Sequence, residues 1–171
     1  MRKESRAMSA EWALQVIDKA PFVTISLTRP DGTAYGLPIT LARTDEHTFY
    51  FHCAGEGEKL DCIKANPNVC ISAVGRCKPT VGPKDGSFTL EYQSAIGFGI
   101  AEVVISDEEK ILALRAICQR FLPDNMHNFE PSIARSLART TVVRITLTQP
   151  LTGKRKQYDS NGEEMKYGRM K

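Results

Sequence analysis

Apolar and polar positions alternate at two periods along this chain, and each change of period marks an element. Trp12, Ala13, Val16, Ile17 and Ala20 recur at helical spacing. Ser9 stands where an N-cap belongs and Pro21 stops the run, so a first helix is predicted between them. Residues 22–27 alternate with a period of two and are rich in strand formers. Pro30-Asp31-Gly32-Thr33 follows, a turn in which proline presets one dihedral and glycine takes a positive one. A returning strand is predicted over 34–41 and a third, dense in aromatic and β-branched residues, over 48–52. These three read as an antiparallel meander.

A short helix is predicted from about Glu58, with Leu60, Ile63 and Lys64 in register, ending before Asn66-Pro67. Residues 69–74 read as a buried strand and 75–86, rich in Gly and Pro, as a loop. A long strand over 88–105 is interrupted by Gly97 and Gly99, which suggest a bulge or bend. Ser106-Asp107-Glu108-Glu109 matches a capping box and opens a helix with Ile111, Leu114, Cys118 and Phe121 on its apolar stripe. Pro131 opens a further helix through 138. Residues 141–147 are the last predicted strand, and the polar, basic tail from Gln149 is expected to be poorly ordered. Six strands with short helices at their edges do not alternate as a parallel sheet requires. The expected fold is mainly β: one domain, a six-stranded antiparallel split β-barrel, with flexible tails over 1–8 and 158–171.

Composition narrows the function classes. Hydrophobic residues make up 42% of the 171 positions and charged residues 25%, ordinary for a folded domain able to bury a core. A net charge of +3 is too mild to imply nucleic acid. The run Gly153-Lys154-Arg155-Lys156 lacks interleaved aromatics, so no nucleic-acid partner is expected. No apolar leader or membrane-length segment is visible, and a cytoplasmic, soluble protein is expected. The cysteines (Cys53, Cys62, Cys70, Cys77, Cys118) are odd in number, which fits a reducing compartment. None pairs as C-x-x-C, and His47, His52 and His127 do not complete a zinc spacing, so no metal is expected.

Candidate chemistry concentrates where the third strand hands over to a helix, in Tyr50-Phe51-His52-Cys53-Ala54-Gly55-Glu56-Gly57-Glu58-Lys59-Leu60. Free N–H groups at a helix start attract an anion, and a lysine in the first turn adds a full charge. The same glycines also serve as plain connection geometry, and pattern alone leaves both readings open. The segment is not a Walker loop.

Tyr50-Phe51-His52-Cys53-Ala54 with Gly57 and Lys59-Leu60-Asp61, then Asn66-Pro67-Asn68-Val69-Cys70, resembles the signature of nitroimidazole-resistance proteins. These are a branch of the FMN-binding split barrels related to pyridoxamine-phosphate oxidase. Gly36-Leu37-Pro38-Ile39, the run from Tyr92 to Glu102 and Leu151-Thr152-Gly153-Lys154-Arg155 extend the resemblance in order along nearly the whole chain. It implies a homodimer with flavin (FMN, with FAD left open) in a groove between two barrels. His52, Cys53, Ala54, Gly57 and Lys59 would then hold the ribityl and phosphate, and Pro38 and Ile39 would line the ring. Ser94, Ala95 and Ile96 would contribute from the long strand, and Lys154 and Arg155 would offer anion contacts. It further implies reduction of a small oxidant such as a nitroaromatic, with a nicotinamide donor.

His52 is the candidate catalytic residue by this resemblance, since an imidazole near a flavin can donate a proton. A hydrogen-bonded structural role stays open beside it. Cys53 is adjacent, but neighbouring strand residues point to opposite faces, and packing is its expected role. Two alternatives remain: a flavin- or haem-binding protein without turnover on the same barrel, and a pyridoxamine-phosphate-type oxidase. The latter needs a second anion site, for which the sequence offers no basic cluster outside the tail.

Overall fold

Ser9 caps the first helix as its position requires, its Oγ accepting the Trp12 N–H at 3.2 Å. The computed structural model describes residues 2–167. In it the helix α1 spans Ala10–Lys19 and buries Ala13, Leu14, Val16 and Ile17. The strands β2 (Val23–Thr28) and β3 (Ala34–Ile39) follow as a hairpin. In its turn Gly32 takes φ +84° and Asp31 Oδ1 accepts the Thr33 N–H at 2.9 Å. Next come β4 (Ala42–Arg43), β5 (Thr48–Cys53), the helix α2 (Glu58–Ala65) and the long strands β6 (Asn68–Val81) and β7 (Phe88–Val103). The helix α3 (Asp107–Phe121) starts on the predicted cap, Ser106 Oγ accepting the Glu109 N–H. The helix α4 covers Phe129–Ser136, so Pro131 lies inside its first turn. β8 (Thr141–Leu147) and β9 (Thr152–Lys156) complete the sheet, and β1 (Ala7–Met8) pairs with β9.

Nine strands, not six, share one antiparallel sheet in the order β3-β2-β6-β7-β8-β5-β4, with β9 alongside β7. No ladder joins β3 to β4, so the hydrogen-bonded sheet is open. Yet β3 ends at Ile39 and β4 begins at Ala42, three residues on. Three extended residues span at most about 10 Å, so the end of β3 and the start of β4 lie close together. The sheet therefore curls round its apolar face, and its two margins approach each other at this one corner, a short seam.

That face is filled from every long strand: Val23 and Ile25, Phe49 and Phe51, Val69 and Ile71, Val143 and Ile145. Phe49 and Phe51 are fully buried, each worth about 1.5–3 kcal/mol of transfer free energy. α1 and Cys62 and Ile63 of α2 close the same cluster. A second cluster lies outside the sheet, where Tyr50 and Val142 meet Ala113, Leu114 and Ile117 of α3 and Phe129 and Ile133 of α4. Arg120 of α3 ties the seam: its guanidinium donates to Leu41 O between β3 and β4 and to Ile17, Asp18 and Ala20 carbonyls at the end of α1. Positive charge is favoured at a helix C-terminus, where the last carbonyls lack full partners within the helix.

Several expectations are corrected. The predicted meander is formed only as far as the β2–β3 hairpin: β5 pairs with β8 and β4, at the far end of the sheet from β3. Period-two alternation fixes a strand's faces but not its partner. The predicted loop 75–86 is strand as far as Val81, because β6 continues beside β7 past a register shift between Val74 and Cys77. Pro79 sits there opposite Leu90, tolerated because this outer stretch is a sheet margin. Gly97 and Gly99 cause no bulge. They are places of close approach: a Cβ at Gly97 would strike the Leu151 side chain, and one at Gly99 would lie 2.6 Å from Thr146 O. The tail from Gln149 contains β9, which pairs Tyr92 to Lys156 and Ile96 to Thr152.

The segments expected as tails are engaged with each other. Arg6 is buried and forms a two-pronged ion pair with Glu164 at 2.5 and 2.6 Å, and the Tyr167 N–H reaches Ser5 O at 2.7 Å. Met1 and residues 168–171 of those segments lie outside the described residues. Among the described residues no helix is long and apolar enough to cross a membrane.

Candidate functional site

β5 alternates cleanly at its end. Phe51 and Cys53 face the core while Tyr50 and His52 face outward. His52 is exposed, lies opposite Val142 in the ladder, and its side chain makes no hydrogen bond with a described residue. Cys53 is half-buried against the core, and that desolvation pushes its thiol pKa up although Lys59 draws it down. The two side chains therefore do not form a nucleophilic pair, as the period of two implies.

Beyond Cys53 the chain turns through Ala54, Gly55 and Glu56 to Gly57, whose φ of +133° only glycine adopts without strain. Gly57 O accepts the Leu60 and Asp61 N–H groups, and no side chain caps α2. The N–H groups of Glu58 and Lys59 are thus left for an outside acceptor. Glu58 is held by Arg29 at 2.5 Å, whose guanidinium also packs over the Tyr35 ring. Lys59 is half-buried and has no ion pair among the described residues. The residues present fit an anionic group at this corner: donors in the first turn and one uncommitted ammonium beside Cys53. A groove of about 510 Å³ on the other side of α2 is unsuited to a phosphate, because Glu56, Asp61 and Glu102 line it against Lys64 alone.

The other predicted residues lie elsewhere. Pro38, Thr24, Ser72, Ile96 and Thr152 stand in one row across five strands on the outer face of the sheet. Phe98 is opposite Cys70 one step along, and Ser94 lies between Val74 and Lys154 one step the other way. This face carries no helix, and Val74, Ile96 and Phe98 are 59%, 40% and 45% exposed on it. Ile39 and Ala95 point to the inner side, Ala95 fully buried. Lys154 belongs to the outer face. Arg155, its neighbour, turns inward beside Gln93.

His52 and this face are brought together by no contact within one chain. The His52 partner Val142 bonds Val104, eight residues along from Ile96, or about 26 Å of strand. Two features escaped sequence reasoning. Arg120 makes its hydrogen bonds to main-chain carbonyls, which no side-chain pattern announces. Arg76 acquires its setting from the irregularity in β6, in a stretch that reads as loop.

A sequence profile described as pyridoxamine 5′-phosphate oxidase matches residues 9–155. No curated protein matches the chain. Among solved structures, a candidate 5-nitroimidazole antibiotic resistance protein from Bacteroides thetaiotaomicron is 24% identical with a TM-score of 0.74, covering 86% of this chain and 85% of its own. An FAD- and haem-binding protein from Mycobacterium smegmatis is 24% identical with a TM-score of 0.76, covering 88% and 73%. The flavocytochrome Anf3 from Azotobacter vinelandii is 15% identical with a TM-score of 0.73, covering 94% and 79%. At these identities the likeness is one of fold.

Proposed function

The chain belongs to the pyridoxamine 5′-phosphate oxidase family, and from that premise we propose that it is a flavin-dependent oxidoreductase of the nitroimidazole-resistance type. It acts as a homodimer that reduces a small oxidant such as a nitroaromatic, with a nicotinamide donor. FMN is the proposed cofactor, with FAD accommodated by the same corner if its second nucleotide runs along the surface. The observation that carries this reading is the uncapped start of α2, where Gly57 opens the backbone and Lys59 stands uncommitted.

The flavin supplies the electron pair, so the protein has to bind, orient and exclude. Lys59 and the first-turn N–H groups hold the phosphate end by charge-assisted hydrogen bonds. The bare outer face presents Pro38, Ser94 and Ile96 to a second copy of the chain. A second copy also answers the separation of His52 from that face, since only a partner can bring the two ends together over one flavin. His52, exposed and unbonded, is free to pass a proton to the reduced substrate at its ring nitrogen.

The test is direct. Protein purified in full should carry an oxidised-flavin absorbance, with FMN or FAD identified by mass after denaturation. It should also oxidise a reduced nicotinamide in the presence of a nitroimidazole. His52→Ala should keep flavin and thermal stability, because the side chain is exposed and makes no hydrogen bond within the described residues, while turnover falls. Colourless protein that takes up neither FMN nor FAD would end the proposal. A second reading uses the same free imidazole as an axial ligand to haem, and a Soret band lost in His52→Ala would favour it.

A further inference from the structure

The register shift in β6 swings Gly75 and Arg76 out of the ladder just where α1 crosses the inner side of the sheet. A cavity of about 370 Å³ opens there, within the size range of small-molecule sites. Its wall is apolar: Trp12 and Val16 of α1, and Ala20 and Pro21 at its end. Its rim is cationic and polar, with Lys19, Arg76 and Gln93. Past Arg76 and Gln93 a narrow cleft continues to Arg155, Lys156 and Gln157, with Glu91 the carboxylate that lines it among the described residues.

The two cations of the cavity rim are uncommitted, while in the cleft Lys156 donates to Thr89 and Arg155 packs over the Tyr167 ring. Among the described residues neither Lys19 nor Arg76 has an ion-pair partner. Arg155 Nε is buried with no hydrogen-bond partner, although its Nη2 donates to Gln157. Glu91 is engaged by the Tyr158 N–H at 2.9 Å. The negative end of α1 would repel an anion, but Arg120 covers those carbonyls from the other side. Arg155 lines the narrow cleft and not the cavity itself, so it adds positive charge at the cavity's far side.

We propose that this basin binds a small aromatic anion, its ring against Trp12 and Pro21 and its acidic group between Arg76 and Lys19, toward Arg155. The site is separate from the flavin corner: Gln93 and Arg155 face the inner side of the strands whose outer side carries Ser94 and Lys154. It does not depend on the proposed reductase activity.

Trp12 is the only tryptophan in the chain, so its emission reports on this cavity alone. The full-length protein is titrated with 4-nitrobenzoate, with quenching corrected against free N-acetyltryptophanamide. Saturable quenching is expected, weakened at least about tenfold by Arg76→Gln and by Lys19→Gln, both surface substitutions. Nitrobenzene, the uncharged analogue, should bind at least about tenfold more weakly. Absence of saturation, equal binding of nitrobenzene, or indifference to both substitutions would overturn the proposal. Equal weakening by Lys59→Ala would place the probe at the other end of the sheet, with the same consequence.

Discussion

Arg120 donates a hydrogen bond to the main-chain carbonyl of Leu41, seventy-nine residues away in sequence, and so pins the seam where the curled sheet meets itself. The same guanidinium takes three carbonyls at the end of α1 at 2.6 to 3.0 Å. Partial burial lowers its pKa. Arg120→Met should therefore lower stability by about 3 kcal/mol or more, since charge-assisted bonds vanish and partly buried carbonyls lose their donor. Arg120→Lys should recover little, because an ammonium lacks the planar fork that reaches four acceptors. Urea midpoints of the two variants check both statements.

Lys59→Ala should weaken flavin retention about tenfold or more, as expected for loss of one charge-assisted phosphate contact. The measurement is a dissociation constant from flavin fluorescence on refilled protein. An unchanged constant would move the phosphate away from α2.

The glycines of β7 and β3 should respond differently to alanine. At Gly99 a Cβ would sit 2.6 Å from Thr146 O and 2.9 Å from the Ile145 side chain, so the neighbouring strand must move. Gly99→Ala is expected to cost about 1–3 kcal/mol. At Gly36 the nearest atoms are 3.9 Å away, and Gly36→Ala should stay within about 0.5 kcal/mol of the parent.

The Arg6–Glu164 pair should make acid stability depend on the two terminal segments. Its hydrogen bonds hold the Glu164 carboxyl below the ordinary glutamate range and raise Arg6. A carboxyl with a depressed folded pKa stabilises above its unfolded value and loses that contribution as pH falls through the folded one. The loss should thus begin below about pH 4.3. Glu164→Gln should flatten thermal stability against pH in that window, and little should change at neutral pH in the slope.

How much of this was legible depends on whether a signal was local. Ser9 and Ser106 announced their helices because a cap acts over three residues. The Pro30–Thr33 turn and β8 were equally readable, and the opposite facing of His52 and Cys53 followed from the strand period. Pairing beyond the β2–β3 hairpin was not readable. β5 chose β8 over β3, a choice made by a core assembled from the whole chain. β9 was hidden because Thr152, Lys154 and Lys156 are polar at a margin that needs no apolar face. The predicted site residues divided for the same reason: Lys154 and Arg155 are neighbours in sequence and strangers across a strand.

The seam has a dynamic consequence. In β3 every second amide points away from β2, toward a margin where no ladder waits, and Pro38 has no amide to offer. Deuterium uptake should therefore run along one line of an otherwise slow-exchanging sheet, so that the molecule breathes by parting its two margins rather than by fraying at the ends of its strands.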